Sequence, residues 1–192
     1  IVIEITRLPS GLIVATDPMP QLQSAAVGVW VNCGGRHETH REMGLSHMLE
    51  HMAFKGTERR SAKDIAVEME AVGGELNAYT AREQTAFHAR VLKDDLPLAL
   101  DILADILVRP VFDPSEVERE RDVIIQEIGQ SRDTPDDLVF EHLQAASYPA
   151  QPMGWSILGT EATVGALGRN DLKDYMAANY RASAMVLIGS GA

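Results

Sequence analysis

The sequence is short of cysteine, of aromatic residues, of basic residues and of long apolar segments. Its single cysteine, Cys33, cannot form a disulfide within the chain, so a reducing compartment is allowed but not required. Aromatic residues make up only 5% of the chain, which predicts a mainly aliphatic core. No apolar run is long enough to cross a bilayer, so we expect no membrane span.

The shortage of basic residues bears on the partners of the chain. It has 17 Lys and Arg against 28 Asp and Glu, and its formal net charge is −11. Because nucleic-acid binding needs clustered Lys and Arg, we expect no nucleic-acid partner. An acidic surface is compatible with basic peptides, although net acidity often serves solubility alone.

The two ends of the chain predict that it is part of a longer protein. The first residues, IVIEITRLPSG, contain neither an initiator methionine nor the features of a secretory signal. The last residues, MVLIGSGA, follow directly on an apolar run, where a domain seldom ends. We therefore expect residues 1–192 to form one domain that is a fragment or half of a longer subunit.

The periodicity of apolar residues predicts an α+β fold. Strands are predicted at 1–7, 12–16, 24–32, 75–80, 85–92 and 185–189. Helices are predicted at 43–54, 61–72, 94–108, 113–131, 136–146 and 170–180. Since the strands pair locally and do not alternate strictly with helices, we predict an antiparallel or mixed β-sheet with helices packed on it.

The segment His47-Met48-Leu49-Glu50-His51 has the spacing of a zinc site. Positions i and i+4 lie on one face of a helix, so His47 and His51 can bind one ion. Glu50 is offset from that face and is placed to take a proton from water activated by the metal. A short H-x-x-E-H match also occurs by chance, in which case the histidines belong to an ordinary helix surface.

A catalytic zinc usually has three protein ligands, so a third must come from another segment. The candidates lie in the predicted helix 113–131, where Glu127 lies beside Ile124 and Ile128. A carboxylate among apolar residues is costly unless it is paired or binds metal. Glu120 lies two turns earlier on the same face and could orient a ligand.

Together these segments resemble the pitrilysin and mitochondrial-processing-peptidase family of zinc peptidases, in its N-terminal catalytic domain. The resemblance rests on HMLEHMAFKGTERRSAKDI, GGELNAYTAREQTAFHARV and VERERDVIIQEI, and it extends over nearly the whole chain. It implies that one zinc ion is bound by His47, His51 and Glu127. It also implies that Glu50 is the general base and that Glu120 supports the site.

The resemblance also implies where a peptide binds. Asn77 and Ala78 would belong to an edge strand that pairs with an extended peptide, and Phe54 would border an apolar pocket. Asp137 and Glu141 match positions that recognise arginine in processing peptidases, and their i,i+4 spacing places both on one helix face. From the residues alone, Phe54 could equally be a core residue and the two acids ordinary surface residues.

Members of this family consist of two homologous domains or two partner subunits that close around a chamber. The resemblance therefore implies a zinc endopeptidase acting on extended peptides, with a second domain or subunit as partner. Its setting would be the bacterial cytoplasm or, alternatively, the mitochondrial matrix. Two other hypotheses remain: a non-catalytic scaffold subunit, and a structural zinc site, which would need a fourth protein ligand.

Overall fold

The computed structural model describes residues 3–192 and contains a six-stranded mixed sheet. The first two residues of the predicted strand 1–7 lie outside the described residues. In chain order the strands are β1 Glu4–Arg7, β2 Ile13–Pro18, β3 Ser24–Val31, β4 Glu75–Thr80, β5 Thr85–Leu92 and β6 Met185–Gly191. Their spatial order is β1-β2-β6-β3-β5-β4, so β4 lies at one edge of the sheet.

The position of β6 corrects the expectation that strands pair only with their neighbours in sequence. The pairs β1–β2 and β4–β5 are local and antiparallel, as predicted. The last strand, however, lies between β2 and β3, parallel to the first and antiparallel to the second. A parallel pair needs a long crossover, and here the helices between β2 and β6 provide it.

Among the residues that the structure describes, seven α-helices accompany the sheet. They are α1 Leu45–Ala53, α2 Ala62–Ala71, α3 Leu96–Val108, α4 Pro114–Asp133, α5 Pro135–Ser147, α6 Glu161–Ala166 and α7 Arg169–Asn179. Six of them match predicted helices to within about two residues, the usual uncertainty of helix ends. Helix α1 begins later than predicted because Gly44 adopts a left-handed conformation with φ of 91°. Helix α6 was not predicted, since six residues are too few to show a helical period.

Helix α4 is specified by strong local signals. Its N-cap Asp113 accepts a hydrogen bond from the Ser115 backbone N–H at 2.8 Å, and Pro114 occupies the first turn. One face of the helix is buried through Val117, Glu120, Ile124 and Ile128. This face packs against α1, which brings the acidic residues of α4 close to the histidines of α1.

The core is aliphatic, as the composition predicts, and it lies between the sheet and the helices. Its largest fully buried side chains are Phe87, Leu45, Met48, Leu49, Met52, Ile102, Leu103, Ile106, Ile124, Leu172, Val31 and Val164. These come from β3 and β5 and from helices α1, α3, α4, α6 and α7, so most of the helices share one core. The predicted α+β architecture is confirmed. No helix within residues 3–192 has both the length and the apolar character needed to cross a membrane.

Candidate metal centre

The two histidines of the H-x-x-E-H segment and one glutamate of α4 meet at a single point. The imidazole rings of His47 and His51 have centroids 4.6 Å apart on α1. The Nε2 atom of each ring lies 3.7 Å from Oε2 of Glu127. One ligand atom from each of the three residues therefore lies within 4.8 Å of the other two. The segments that the sequence predicted to meet are adjacent in space.

The ring of His51 is oriented by a glutamate from α4. Its Nδ1 lies 3.0 Å from Oε2 of Glu120, a side chain that is only 7% exposed. The carboxylate can only accept, so Nδ1–H donates and the lone pair of the ring is on Nε2, which faces Glu127. The other oxygen of Glu120 lies 2.6 Å from Nζ of Lys55. Burial opposes ionisation of Glu120, but these two hydrogen bonds outweigh it and lower its pKa.

His47 is held as a neutral imidazole. Burial, and secondarily the neighbouring His51, lower the pKa of His47 to about 4. Its Nδ1 is buried and has no hydrogen-bond partner within the part of the chain that the structure describes. A neutral ring at physiological pH keeps a lone pair available for a metal, which is the form in which histidine binds zinc.

Glu50 lies beside the three converging residues and contacts the sheet. Its Oε2 accepts a hydrogen bond of 2.6 Å from the hydroxyl of Thr80, at the end of the edge strand β4. Burial raises the pKa of Glu50, and the hydrogen bond from Thr80 partly offsets this effect. A carboxylate with a raised pKa is a stronger base than an exposed one, which suits proton transfer near neutral pH.

The three residues fit a cation on chemical grounds. Each of the two imidazole nitrogens lies 3.7 Å from the same carboxylate oxygen of Glu127, too far for a good hydrogen bond. Nitrogen and oxygen in this combination suit zinc, and three ligands leave a position open. Within residues 3–192, no fourth metal-binding side chain joins the group. Cys33 is buried elsewhere, 3.0 Å from the Tyr175 hydroxyl, so the hypothesis of a closed structural site gains no support.

Three of the predicted peptide-binding residues lie in or beside the edge strand β4. Asn77 and Ala78 are in β4, and the Asn77 side chain accepts a hydrogen bond from the Ala78 backbone N–H at 2.8 Å. Phe54 is partly buried and lines an open cleft of about 870 Å³ together with Leu76 and Asn77. Phe54 also contacts the core, with its ring centroid 6.3 Å from that of Phe87.

The two acids predicted to recognise arginine lie on α5 in different surroundings. Asp137 is exposed to solvent. Glu141 is partly buried and accepts a hydrogen bond from Nη2 of Arg82 at 3.2 Å. The Glu141 carboxylate therefore already binds a guanidinium of its own chain.

Some residues around the site were not singled out by sequence reasoning. Thr80 contacts Glu50, and Lys55 contacts Glu120. Lys55 lies four residues after His51, just beyond the end of α1, and nothing local indicates that Glu120 lies between them. These contacts arise only when α1, α4 and β4 pack together.

Comparison with known proteins identifies the family of this chain. Residues 13–161 match the family model described as "Insulinase (Peptidase family M16)". Since the match covers more than half of the chain, the protein belongs to peptidase family M16. The resemblance to zinc peptidases of this family, first seen in the sequence motifs, is confirmed.

Individual relatives place the chain more closely within the family. It is similar to the mitochondrial-processing peptidase subunit beta of Saccharomyces cerevisiae, at 47% identity over 97% of the chain and 40% of that protein. It is also similar to a protein named "Uncharacterized zinc protease" from Rickettsia felis, at 42% identity over 97% of the chain and 45% of that protein. The chain thus spans less than half the length of these relatives.

A solved structure shares the fold almost completely. The crystal structure of a protease from Helicobacter pylori superposes with a TM-score of 0.94 at 23% identity. The match covers 99% of this chain and 46% of that one. At this level of identity the likeness bears on the fold alone.

Proposed function

We propose that this chain is the zinc-binding, N-terminal catalytic half of a metalloendopeptidase that hydrolyses extended peptides. The observation that carries the proposal is the convergence of His47 Nε2, His51 Nε2 and Glu127 Oε2 within 4.8 Å. Such a group of acceptors, with a carboxylate from Glu50 beside it, is the minimum that zinc-dependent hydrolysis requires. Membership of peptidase family M16 supports the same reaction class.

In this proposal His47, His51 and Glu127 hold one zinc ion. When bound, zinc supplies Lewis acidity, which polarises a peptide carbonyl and makes water a nucleophile near neutral pH. Glu120 fixes the orientation of the His51 ring and increases its basicity through the Nδ1 hydrogen bond. Lys55 holds Glu120 in place from the other side.

Glu50 acts as the general base. Its carboxylate accepts a proton from the attacking water and then delivers it to the leaving amine. The Thr80 hydroxyl donates a hydrogen bond to one oxygen of Glu50, and this bond fixes the orientation of the carboxylate. The raised pKa of Glu50 increases its affinity for the proton that it must carry.

The substrate binds as an added strand along β4. The outer edge of β4 has no neighbouring strand in the described sheet, so its backbone can pair with a peptide, and Asn77 and Ala78 would take part. Because Thr80 at the end of β4 contacts Glu50, a peptide on this edge would pass close to the base. The cleft beside Phe54 would accept an apolar side chain.

A preference for arginine near the cleavage site is the finer part of the proposal. The i,i+4 spacing of Asp137 and Glu141 supports it, since two carboxylates on one helix face suit the fork of a guanidinium. Glu141 is already paired with Arg82 of its own chain. A substrate arginine would join or replace Arg82, and Asp137 would contribute a second negative charge. Mapping cleavage sites in a peptide library tests the idea, because no arginine enrichment would remove Asp137 and Glu141 from the site.

The partner would be a second homologous domain or subunit. The relatives that match this chain are more than twice as long, and several are named as a beta subunit. We expect residues 1–192 alone to bind zinc but to cleave peptides weakly. Equal cleavage with and without the second half would contradict this expectation. By the same relatives, the protein would act in the bacterial cytoplasm or, alternatively, the mitochondrial matrix.

A non-catalytic scaffold is the alternative function, and the two are separated by changing Glu50 alone. In the full-length protein we expect Glu50→Gln to retain zinc and to lose roughly 10²–10⁴-fold in hydrolysis of a quenched fluorescent peptide. The matched control is Glu118→Gln, an exposed position on α4, which should leave both properties unchanged. Cleavage unaffected by Glu50→Gln would exclude Glu50 as the base, whereas a wild-type protein that cleaves no peptide would favour the scaffold.

A further inference from the structure

The N-terminus of α1 is capped by a residue outside the helix. Its N-cap residue is Gly44, which has no side chain to accept the free N–H groups of the first turn. The carboxylate of Glu38 takes this role. Its Oε2 accepts the Gly44 N–H at 3.0 Å, and its Oε1 accepts the Ser46 N–H at 2.6 Å. Glu38 is only 4% exposed, so the capping group is a buried acid.

A buried carboxylate is a costly way to cap a helix, because burial disfavours its charged form. A serine, threonine or aspartate at the N-cap could accept the same N–H groups at the surface without that cost. Burial raises the pKa of Glu38 to about 7, even though hydrogen bonds from Ser46 and Gly44 act in the opposite direction. Two charge-assisted hydrogen bonds and the positive end of the helix dipole offset part of that cost. These two hydrogen bonds fix the position of the first turn of α1 relative to Glu38.

The first turn is also the start of the candidate metal centre. Ser46, whose N–H binds Glu38, immediately precedes His47. The Thr80 hydroxyl donates its hydrogen bond mainly to Glu50 at 2.6 Å, and it also lies 3.4 Å from the Ser46 carbonyl. The Ser46 side chain in turn lies 2.7 Å from the Tyr175 hydroxyl on α7. Ser46 is therefore held from three sides.

From this connected set of contacts we infer that Glu38 is a positioning residue of the zinc site. It fixes the first turn of α1, and thereby the place of His47 and the hydrogen bond that orients Glu50. The inference rests on the proposed zinc peptidase function and adds a residue that touches neither metal nor substrate. Its effect should appear in zinc affinity, and not only in the stability of the fold.

The decisive experiment measures zinc affinity in Glu38→Gln. The amide keeps the shape of Glu38, but its NH₂ group cannot accept the second backbone N–H. In the full-length protein, titrated against a chromophoric chelator at about pH 8, where Glu38 is ionised, we expect zinc binding about 10–100-fold weaker. The control is Glu42→Gln: Glu42 accepts the Thr39 N–H at 2.8 Å, outside α1, so zinc affinity should stay within about threefold.

Further variants and outcomes separate this inference from the function on which it rests. Glu38→Asp keeps the charge but shortens the reach, so we expect an intermediate zinc affinity. If the wild-type protein does not bind zinc, the proposed function fails. If the wild type binds zinc and Glu38→Gln binds it equally well, only the positioning role fails. A Glu38→Gln protein that loses thermal stability without metal, but keeps full zinc affinity, likewise contradicts the positioning role.

A measurement on the wild-type protein covers the case in which Glu38→Gln does not fold. The Ser46 N–H is in the first turn, where no partner exists within the helix, so its protection against hydrogen exchange depends on Glu38. We expect this amide to exchange slowly in the zinc-free protein and at least about tenfold more slowly with zinc bound. Exchange at the rate of an unprotected amide would overturn the inference.

Discussion

Two clusters of charged side chains differ in how their charges are paired. In the cluster between α2 and α3, Oδ2 of Asp105 accepts hydrogen bonds from Thr57 at 2.7 Å and from Arg60 at 3.1 Å. In the candidate metal centre, Nε2 of His51 and Oε2 of Glu127 lie 3.7 Å apart, which is too far for a good hydrogen bond.

This difference in charge pairing distinguishes the structural cluster around Asp105 from the proposed binding site at His47, His51 and Glu127. Where a guanidinium meets a carboxylate, as in the pair of Arg60 and Asp105, the protein supplies both charges. The second oxygen of Asp105, Oδ1, is buried and has no hydrogen-bond partner among the described residues. Where imidazole nitrogens and a carboxylate oxygen converge, we expect a cation to bind. Substitutions in the metal centre should therefore change zinc affinity, and substitutions in the structural cluster should change stability.

Among these substitutions, the one that removes the negative charge of Glu127 on α4 should weaken zinc binding most. For Glu127→Gln we expect about 1,000-fold lower zinc affinity, because a zinc-binding free energy of about 10–16 kcal/mol is shared among a few ligands. The stability of the zinc-free protein should hardly change, since Glu127 has no donor partner at the site. Equilibrium dialysis with zinc checks the first expectation and denaturant unfolding the second. Unchanged zinc affinity would show that the converging acceptors are not a metal site.

The structural cluster should respond in the opposite way. Asp105 has a side chain that is 0% exposed, so Asp105→Asn leaves the guanidinium of Arg60 without its buried counter-charge. We expect a loss of about 3 kcal/mol in the free energy of unfolding and no change in zinc affinity. The control is Asp101→Asn, because Asp101 pairs with the same arginine but is 41% exposed, which predicts a loss below about 1 kcal/mol.

The contribution of Glu38 to the free energy of unfolding should be smaller and should depend on pH. Burial raises its pKa from the usual 4.5 to about 7, so between these values the folded protein binds a proton that the unfolded chain has released. The contribution of Glu38 to stability is therefore complete at low pH and is lost as the pH rises through 7. The zinc-free wild type should lose roughly 1–3 kcal/mol of stability relative to Glu38→Gln over this range. A constant difference at all pH values would contradict the raised pKa.

Local sequence signals predicted most of the fold. Helix α4 was predictable because Asp113-Pro114 starts it and apolar residues follow at helical spacing. The hairpin of β4 and β5 was predictable because alternating residues flank a short polar turn. The central place of β6 was not predictable, since pairing between distant strands depends on how the whole sheet closes.

The sequence by itself determined which residues of α1 can act together, because the helical period places His47 and His51 one turn apart whatever surrounds them. The family resemblance named Glu127 and Glu120, but only the tertiary structure shows that they lie beside the two histidines and that Thr80 contacts Glu50 and Lys55 contacts Glu120. The physical reason is that these contacts join distant segments. Their distances follow from how α1, α4 and the sheet pack around a shared core, and no local propensity encodes that packing.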